Sequence, residues 1–213
     1  MKNSKLFLFL KNKYPLIIDI YLFISTGIYI IWQTYKTYNS GNLDFSEILF
    51  TLQNALLVFF FLFRIKEHKL NFKIFDQVIA LTAFFSGLFF LGSSESGGQL
   101  SRYISKGIII TATILGILTI LNLGKSFGIL IALRKVKTNG LYSFIRHPMY
   151  MTDILFRFGY LVGHCNIKII SLTIASTCAY IYRAILEEKF LSQSEEYKIY
   201  ITQVKYRFIP HVF

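Results

Sequence analysis

Gly107-Ile-Ile-Ile-Thr-Ala-Thr-Ile-Leu-Gly-Ile-Leu-Thr-Ile-Leu-Asn-Leu123 decides the fold class. It carries no charge and no proline, and its length approaches the ~20 apolar residues a helix needs to cross a bilayer. A soluble protein rarely exposes or buries such a run, so the segment reads as a transmembrane helix. Working outward, similar stretches recur: Pro15–Trp32, Ile48–Phe63, Gln77–Leu91, Met151–His164 and Ile167–Leu186. The six together predict an all-α, polytopic transmembrane helix bundle. The fifth is short and contains Asp153 and Arg157, and only Cys165-Asn166 separates it from the sixth. Those two therefore read as a tight helical hairpin.

The loops give the orientation. The chain has 23 Lys+Arg against 11 Asp+Glu, a net charge of +12. With the N-terminus in the cytoplasm, eighteen basic residues fall on that side. Four (Lys36, Arg102, Lys106, Lys168) fall opposite, and Arg157 lies inside a span. The positive-inside rule then predicts a multi-pass integral membrane protein with N- and C-termini cytoplasmic. Nucleic-acid binding, the other common reading of a basic chain, calls for a basic face on a soluble domain, so no nucleic-acid partner is expected. Two cysteines, Cys165 and Cys178, cannot build a disulfide framework or a four-ligand zinc site. The basic N-terminus and the apolar run after it lack a small-residue cleavage site, so they read as a first span and not as a removed signal.

Chemistry concentrates late in the chain. Residues 1–123 are mostly spans, whereas 124–213 hold most of the ionisable and aromatic side chains, within one membrane domain over 1–213. Gly140-Leu-Tyr-Ser-Phe-Ile-Arg-His-Pro-Met-Tyr150 opens the fifth span, with Pro148 suited to a helix first turn. Arg146, His147 and Tyr150 around that N-terminus suit an anionic ligand. They equally suit an interfacial anchor. Arg183 and Glu187 lie one helical turn apart, with Glu188 beside them, at the cytoplasmic end of the last span. Asp153 and Arg157 share the same spacing and read as a structural ion pair facing the bundle. Residues 195–210, mixed aromatic and charged, read as an amphipathic cytoplasmic cap. No glycine-rich phosphate loop, dinucleotide fingerprint or zincin spacing occurs, so any nucleotide-like cofactor must bind among helices. No metal site is expected.

These residues, in order, resemble the isoprenylcysteine carboxyl methyltransferases and their bacterial relatives. The resemblance covers about residues 120–210. It runs through Leu123-Gly-Lys-Ser-Phe127, Lys137-Thr-Asn-Gly-Leu-Tyr142, Arg146-His-Pro-Met-Tyr150, Arg183-x-x-x-Glu187-Glu188, and Glu196-Tyr197 to Pro210. Thr152 stands where the family commonly has glycine, and Arg134, Lys135 and Lys137 make the approach to Gly140 unusually basic. The resemblance implies S-adenosyl-L-methionine bound between the last helices and the tail. By position, Tyr142, His147, Pro148, Met149, Tyr150 and Glu187 would contact the cofactor. Arg183 would act on the acceptor's anionic group, with Arg146 and Glu188 also on the substrate side. The implied acceptor is a lipid or prenylated amphiphile drawn from the surrounding membrane lipids, methylated on a carboxylate as in isoprenylcysteine. Methylation of a phospholipid amine such as phosphatidylethanolamine is the nearest alternative, because related enzymes share the C-terminal pattern. An NADPH-dependent membrane reductase and a non-enzymatic membrane protein are the remaining readings.

Overall fold

The computed structural model describes residues 17, 20, 21, 23–36, 38, 39, 44–63, 67–90, 97–210 and 212. The basic N-terminal residues, the beginning of the Pro15–Trp32 span and the residues around Arg64 and Lys66 lie outside the described residues. The chain divides into two compact units, Met1–Phe63 and Arg64–Phe213.

In the first unit, residues 23–36 form helix α1, and α2 spans Phe45–Phe63. Asp44 starts α2, accepting from the Ser46 backbone N–H at 3.1 Å and so satisfying one of the orphan donors of a first turn. Tyr29 of α1 meets Phe50 of α2 edge to face, with ring centroids 6.4 Å apart. Within α2 the buried residues are Leu57 and Phe61, while Phe45, Leu52, Phe59, Leu62 and Phe63 are exposed. An apolar helix open on most of its surface is what hydrocarbon, not water, tolerates.

The second unit holds α3 (Ile74–Phe85), which tightens into a 3-10 turn over Ser86–Phe90, then α4 (Gln99–Leu123), α5 (Pro148–Gly163), α6 (Ile167–Leu191) and α7 (Glu195–Gln203). Two short strands, β1 (Lys69–Leu70) and β2 (Ala132–Leu133), pair antiparallel with Lys69 opposite Leu133. The buried Gln77 amide stitches them to α3. Its Nε2 donates to the Asn71 and Ile131 carbonyls at 2.6 and 3.0 Å, and its Oε1 accepts from Ile131 N–H at 3.0 Å. This small ribbon carries residues 126–137 over the end of the helices.

The protein is therefore an all-α bundle with almost no sheet. Three described helices are long and apolar enough to cross a membrane: α2, α4 with its 3-10 extension to Ser126, and α6. At 25 residues, α4 and α6 are each about 37 Å long, whereas the 16 residues of α5 give about 24 Å. The shortness read from the sequence for the fifth span is thus retained. Ser86-Gly87 converts the third predicted span to a 3-10 turn before its end.

Small residues let α4 and α5 pack closely. A Cβ on Gly159 would lie 2.9 Å from Ile108, and Ser105 Oγ donates to the Gly159 carbonyl at 2.7 Å. The α5–α6 hairpin turns through Asn166, whose side chain caps the Ile169 N–H at 3.0 Å. Asp153 and Arg157 do not form the expected direct ion pair. The Asp153 carboxylate accepts from Tyr180 Oη at 2.7 Å, and Arg157 donates to the Asp153 backbone carbonyl at 2.9 Å. The guanidinium lies over the Tyr180 ring at 4.8 Å. A tyrosine from the neighbouring helix separates the charges, which the i,i+4 spacing alone does not reveal.

On α7, acidic Glu195 and Glu196 in the first turn complement the helix dipole. Tyr197, Tyr200 and Val204 bury one face against Val136 and Leu191. This is the amphipathic cap expected from the sequence.

Candidate functional site

The 3-10 turn Gly140–Ser143 begins the site. Gly140 has φ +62°, and a Cβ there would press into the Asn122 side chain, so the turn depends on glycine. The turn buries Tyr142, whose carbonyl accepts from Tyr200 Oη at 2.7 Å. Burial, and then the negative charge of Glu187, hold the Tyr142 phenol far above its ordinary range. It stays neutral.

Next along the chain, the backbone N–H groups of Arg146 and His147 each donate at 2.9 Å to the tail carbonyls of Tyr206 and Arg207. The tail is thereby strapped to the segment that launches α5. Pro148 begins that helix, where a missing N–H costs nothing. Phe208, just beyond, joins Tyr150, Tyr180, Ala83 and Ala184 in a buried cluster.

Glu188 fastens the strap. Its Oε1 faces Arg146 Nε at 3.2 Å and His147 Nε2 at 3.1 Å, and its Oε2 accepts from Arg207 Nε at 3.0 Å. The His147 ring stacks on Tyr150 with centroids 5.2 Å apart and planes 9° from parallel. Tyr150 Oη donates to Glu187 Oε2.

Arg183 is buried beneath Tyr150, with Cζ 4.8 Å from the ring centroid. Its Nη1 donates to the Ala80 carbonyl at 3.0 Å and its Nη2 to the Ile129 carbonyl at 2.6 Å. The guanidinium thus ties α6 to α3 and to the segment before β2. Arg183 and Glu187 share a face, as their spacing requires, yet Tyr150 stands between them.

Around these groups opens a cleft that meets solvent. Of the residues singled out in the sequence, Tyr142, Arg146, His147, Met149, Tyr150, Arg183 and Glu187 line it. Pro148 and Glu188 sit behind the wall, one starting a helix and the other clamping the tail. The cleft also takes in residues that sequence reasoning gave no role: Ser126, Phe127, Gly128, Tyr180 and Tyr197. Ser126 and Phe127 lie in the Leu123–Phe127 motif, so a signal for them was present. Ser126 Oγ, Tyr197 Oη and Arg183 Nε are buried without a hydrogen-bond partner among the described residues. Buried polar atoms left unpaired are costly, so three at one cleft mark a place for a polar ligand. Among the described residues, no group of three or more His, Cys, Asp or Glu is placed to hold a metal ion.

Apolar, bilayer-length helices and a cleft lined by charged and aromatic side chains define the class: a helical membrane protein. Residues 100–198 match the profile of the phospholipid methyltransferase family. The matched stretch runs from the start of α4 into α7, just under half the chain, and contains every charged residue that lines the cleft. No curated protein matches the chain.

Proposed function

We propose that the protein is an integral membrane methyltransferase using S-adenosyl-L-methionine, and that it methylates a lipid-like acceptor carrying an anionic group. The observation that carries this reading is the charge of the cleft. Arg134, Lys135, Lys137, Arg146 and Arg183 line it against Asp153 and Glu187, so an anion at the acceptor end meets a favourable field.

The residues present fit the cofactor. Tyr142 and Tyr150 offer aromatic surface of the kind that holds cationic groups. Glu187 supplies a carboxylate at 22% exposure, open to the cleft, for the cofactor's ammonium or hydroxyl groups. Ser126 Oγ and Arg183 Nε have hydrogen-bonding capacity to give. When bound, S-adenosylmethionine supplies an electrophilic methyl on a sulfonium. The chain contributes placement and exclusion of water, because α7 walls the cleft through Tyr197 and Tyr200.

For the acceptor, we infer carboxyl O-methylation of an isoprenylcysteine-type lipid. A carboxylate has no proton to surrender, which suits a site where the best bases, His147 and Glu188, are bonded to each other. Two of the five Arg183 N–H groups are held by backbone carbonyls, and the Nε–H is among those left for a ligand. Methylation of a phosphatidylethanolamine amine is the second reading. It is supported by the description of the matched family and by the carboxylates Asp153 and Glu187 on the cleft wall, either of which is placed to take an amine proton. Both readings place the cofactor's entry, and both chain termini, on the cytoplasmic side.

The test is calorimetric binding of S-adenosylmethionine and S-adenosylhomocysteine to the detergent-purified protein. It should accompany methyl transfer from labelled cofactor to N-acetyl-S-farnesylcysteine and to phosphatidylethanolamine. Binding that weakens in Glu187→Ala and Tyr150→Ala supports the proposal, and the labelled product decides the acceptor. Absence of binding by either compound ends the methyltransferase reading. NADPH binding in its place would establish the reductase, and no ligand at all the non-enzymatic protein.

A further inference from the structure

We propose that the Tyr197 hydroxyl binds the nucleoside of S-adenosylmethionine; the proposal rests on the cleft being the methyltransferase site. Tyr197 is the third residue of α7 and is 4% exposed. Its ring tilts against Tyr200, with centroids 5.7 Å apart, and packs in the cluster with Val204, Val136 and Leu191. The two tyrosines share that face of α7, yet their hydroxyls end differently. Tyr200 Oη donates to the Tyr142 carbonyl at 2.7 Å. Tyr197 Oη has no hydrogen-bond partner among the described residues and is shut off from bulk water. A buried O–H left unpaired is costly, and a phenylalanine would fill the same space without that penalty. Packing therefore accounts for the ring and not for the hydroxyl. Tyr197 lines the cleft together with Tyr142, Arg146 and Glu187, so the missing partner is supplied by a molecule bound there.

What the hydroxyl lacks is an acceptor. Burial, and then the charges of Glu188 and Glu187, hold the phenol far above its ordinary range, so it is a neutral donor. The same two carboxylates oppose an anionic ligand group at this point of the cleft. Arg146, the cation nearby, already pairs with Glu188 at 3.2 Å. A ligand ammonium is no better, because it has no lone pair to take the phenolic hydrogen. An uncharged group that carries lone pairs meets both demands, and the ribose hydroxyls and adenine nitrogens of a nucleoside are such groups. A ribose hydroxyl also has a hydrogen to give to Glu187, whose carboxylate is 22% exposed on the same cleft wall. The nucleoside thus completes a hydrogen bond that α7 holds open.

The experiment measures melting temperature and calorimetric ligand binding on the full-length protein in detergent, as wild type, Tyr197→Phe and Tyr200→Phe. The ligands are S-adenosylhomocysteine and methylthioadenosine, which keeps the nucleoside and thioether but lacks the amino-acid end. Without ligand, Tyr197→Phe should melt at or above the wild-type temperature, since it deletes an unpaired hydroxyl and no bond. Tyr200→Phe, which deletes the bond to the Tyr142 carbonyl, should melt lower. Tyr197→Phe should bind both ligands about tenfold more weakly than wild type, the value of one hydrogen bond. The rise in melting temperature at a fixed S-adenosylhomocysteine concentration should shrink with it. A structural role for the hydroxyl would move the ligand-free melting temperature and leave affinity alone. A melting temperature that falls in Tyr197→Phe as it does in Tyr200→Phe therefore overturns the proposal. A loss of affinity seen with S-adenosylhomocysteine alone overturns it too, by assigning the phenol to the amino-acid end. Wild-type affinity for both ligands retained in Tyr197→Phe ends this inference and leaves the methyltransferase reading standing. Absence of S-adenosylhomocysteine binding by wild type ends both.

Discussion

Glu187 and Glu188 are neighbours on α6 with opposite surroundings. Glu188, its side chain 8% exposed, is held by Arg146 and His147 at the start of α5 and by Arg207 in the tail. Glu187, 22% exposed, takes a hydrogen bond from Tyr150 and otherwise faces the cleft. A helix turns by about 100° per residue, so adjacent carboxylates point to different sides, one into the packed tail and one into open space. The comparison separates a carboxylate that holds the fold from one available to a ligand. Each of the following expectations is a way to break or sharpen that separation.

The largest effect is expected at the fastening. Glu188→Ala leaves two arginines and a histidine without their shared partner, and breaking such a buried network costs about 3–5 kcal/mol. Thermal unfolding in detergent should drop accordingly, with residues 204–210 becoming accessible to protease at temperatures where wild type resists. An unchanged melting point and tail would show that the strap is held by Phe208 and its backbone bonds alone. Arg183→Met comes next. It removes the donor to the Ile129 carbonyl, a buried loss of about 1–3 kcal/mol, and a second donor to the Ala80 carbonyl, which keeps its helical bond within α3. Stability should fall by less than in Glu188→Ala if the arginine serves the fold as its bonds indicate. Glu187→Gln inverts the pattern, with stability within about 0.5 kcal/mol of wild type, because the glutamine oxygen still accepts from Tyr150. S-adenosylhomocysteine binding should nevertheless weaken by about tenfold or more, the value of one hydrogen bond to a charged group. A large loss of stability in Glu187→Gln would make the two glutamates alike and end the distinction.

Much of this was readable in the sequence, and the failures share a cause. Apolar run lengths located α2, α4 and α6, and the turn residues at Cys165-Asn166 located the hairpin. The cluster from Tyr142 to Tyr150 with Arg183 and Glu187 does converge on one cleft, because hydrophobic spans force the polar segments between them to the same end. What spacing did not give was the third partner. Both i,i+4 pairs, Asp153–Arg157 and Arg183–Glu187, were legible as shared faces, yet in both a tyrosine from the facing helix intervenes, Tyr180 in one and Tyr150 in the other. Helical periodicity describes one helix, whereas which side chain enters between two charges is fixed by packing of a second. Arg134 was visible as an anomaly of charge, but its place depends on β1 pairing with β2 across some sixty residues, which no local pattern encodes.

A smaller effect, in alkali, tests whether the tyrosines beside the two glutamates are as secluded as their neighbours. Burial is the main reason that Tyr142, Tyr197 and Tyr200 have raised pKa values, with Glu187 or Glu188 adding to it at each. The unfolded chain gives up those protons near pH ~10, while the folded protein keeps them to higher pH. Stability from these groups is therefore intact below pH ~10 and declines above it, at up to about 1.4 kcal/mol per pH unit for each tyrosine. Unfolding monitored between pH 9 and 11.5 should show this slope, and phenolate absorbance from these three should appear only with unfolding. Replacing Tyr200 by Phe should flatten the slope by one tyrosine's share, at the cost of its bond to the Tyr142 carbonyl. Phenolate absorbance that rises before unfolding in wild type, and falls in the Phe variant, would mean that α7 opens and closes over the cleft in the folded protein. In that case Glu188 fastens the tail without sealing the site, and the cap beside Glu187 is the mobile wall through which a ligand enters.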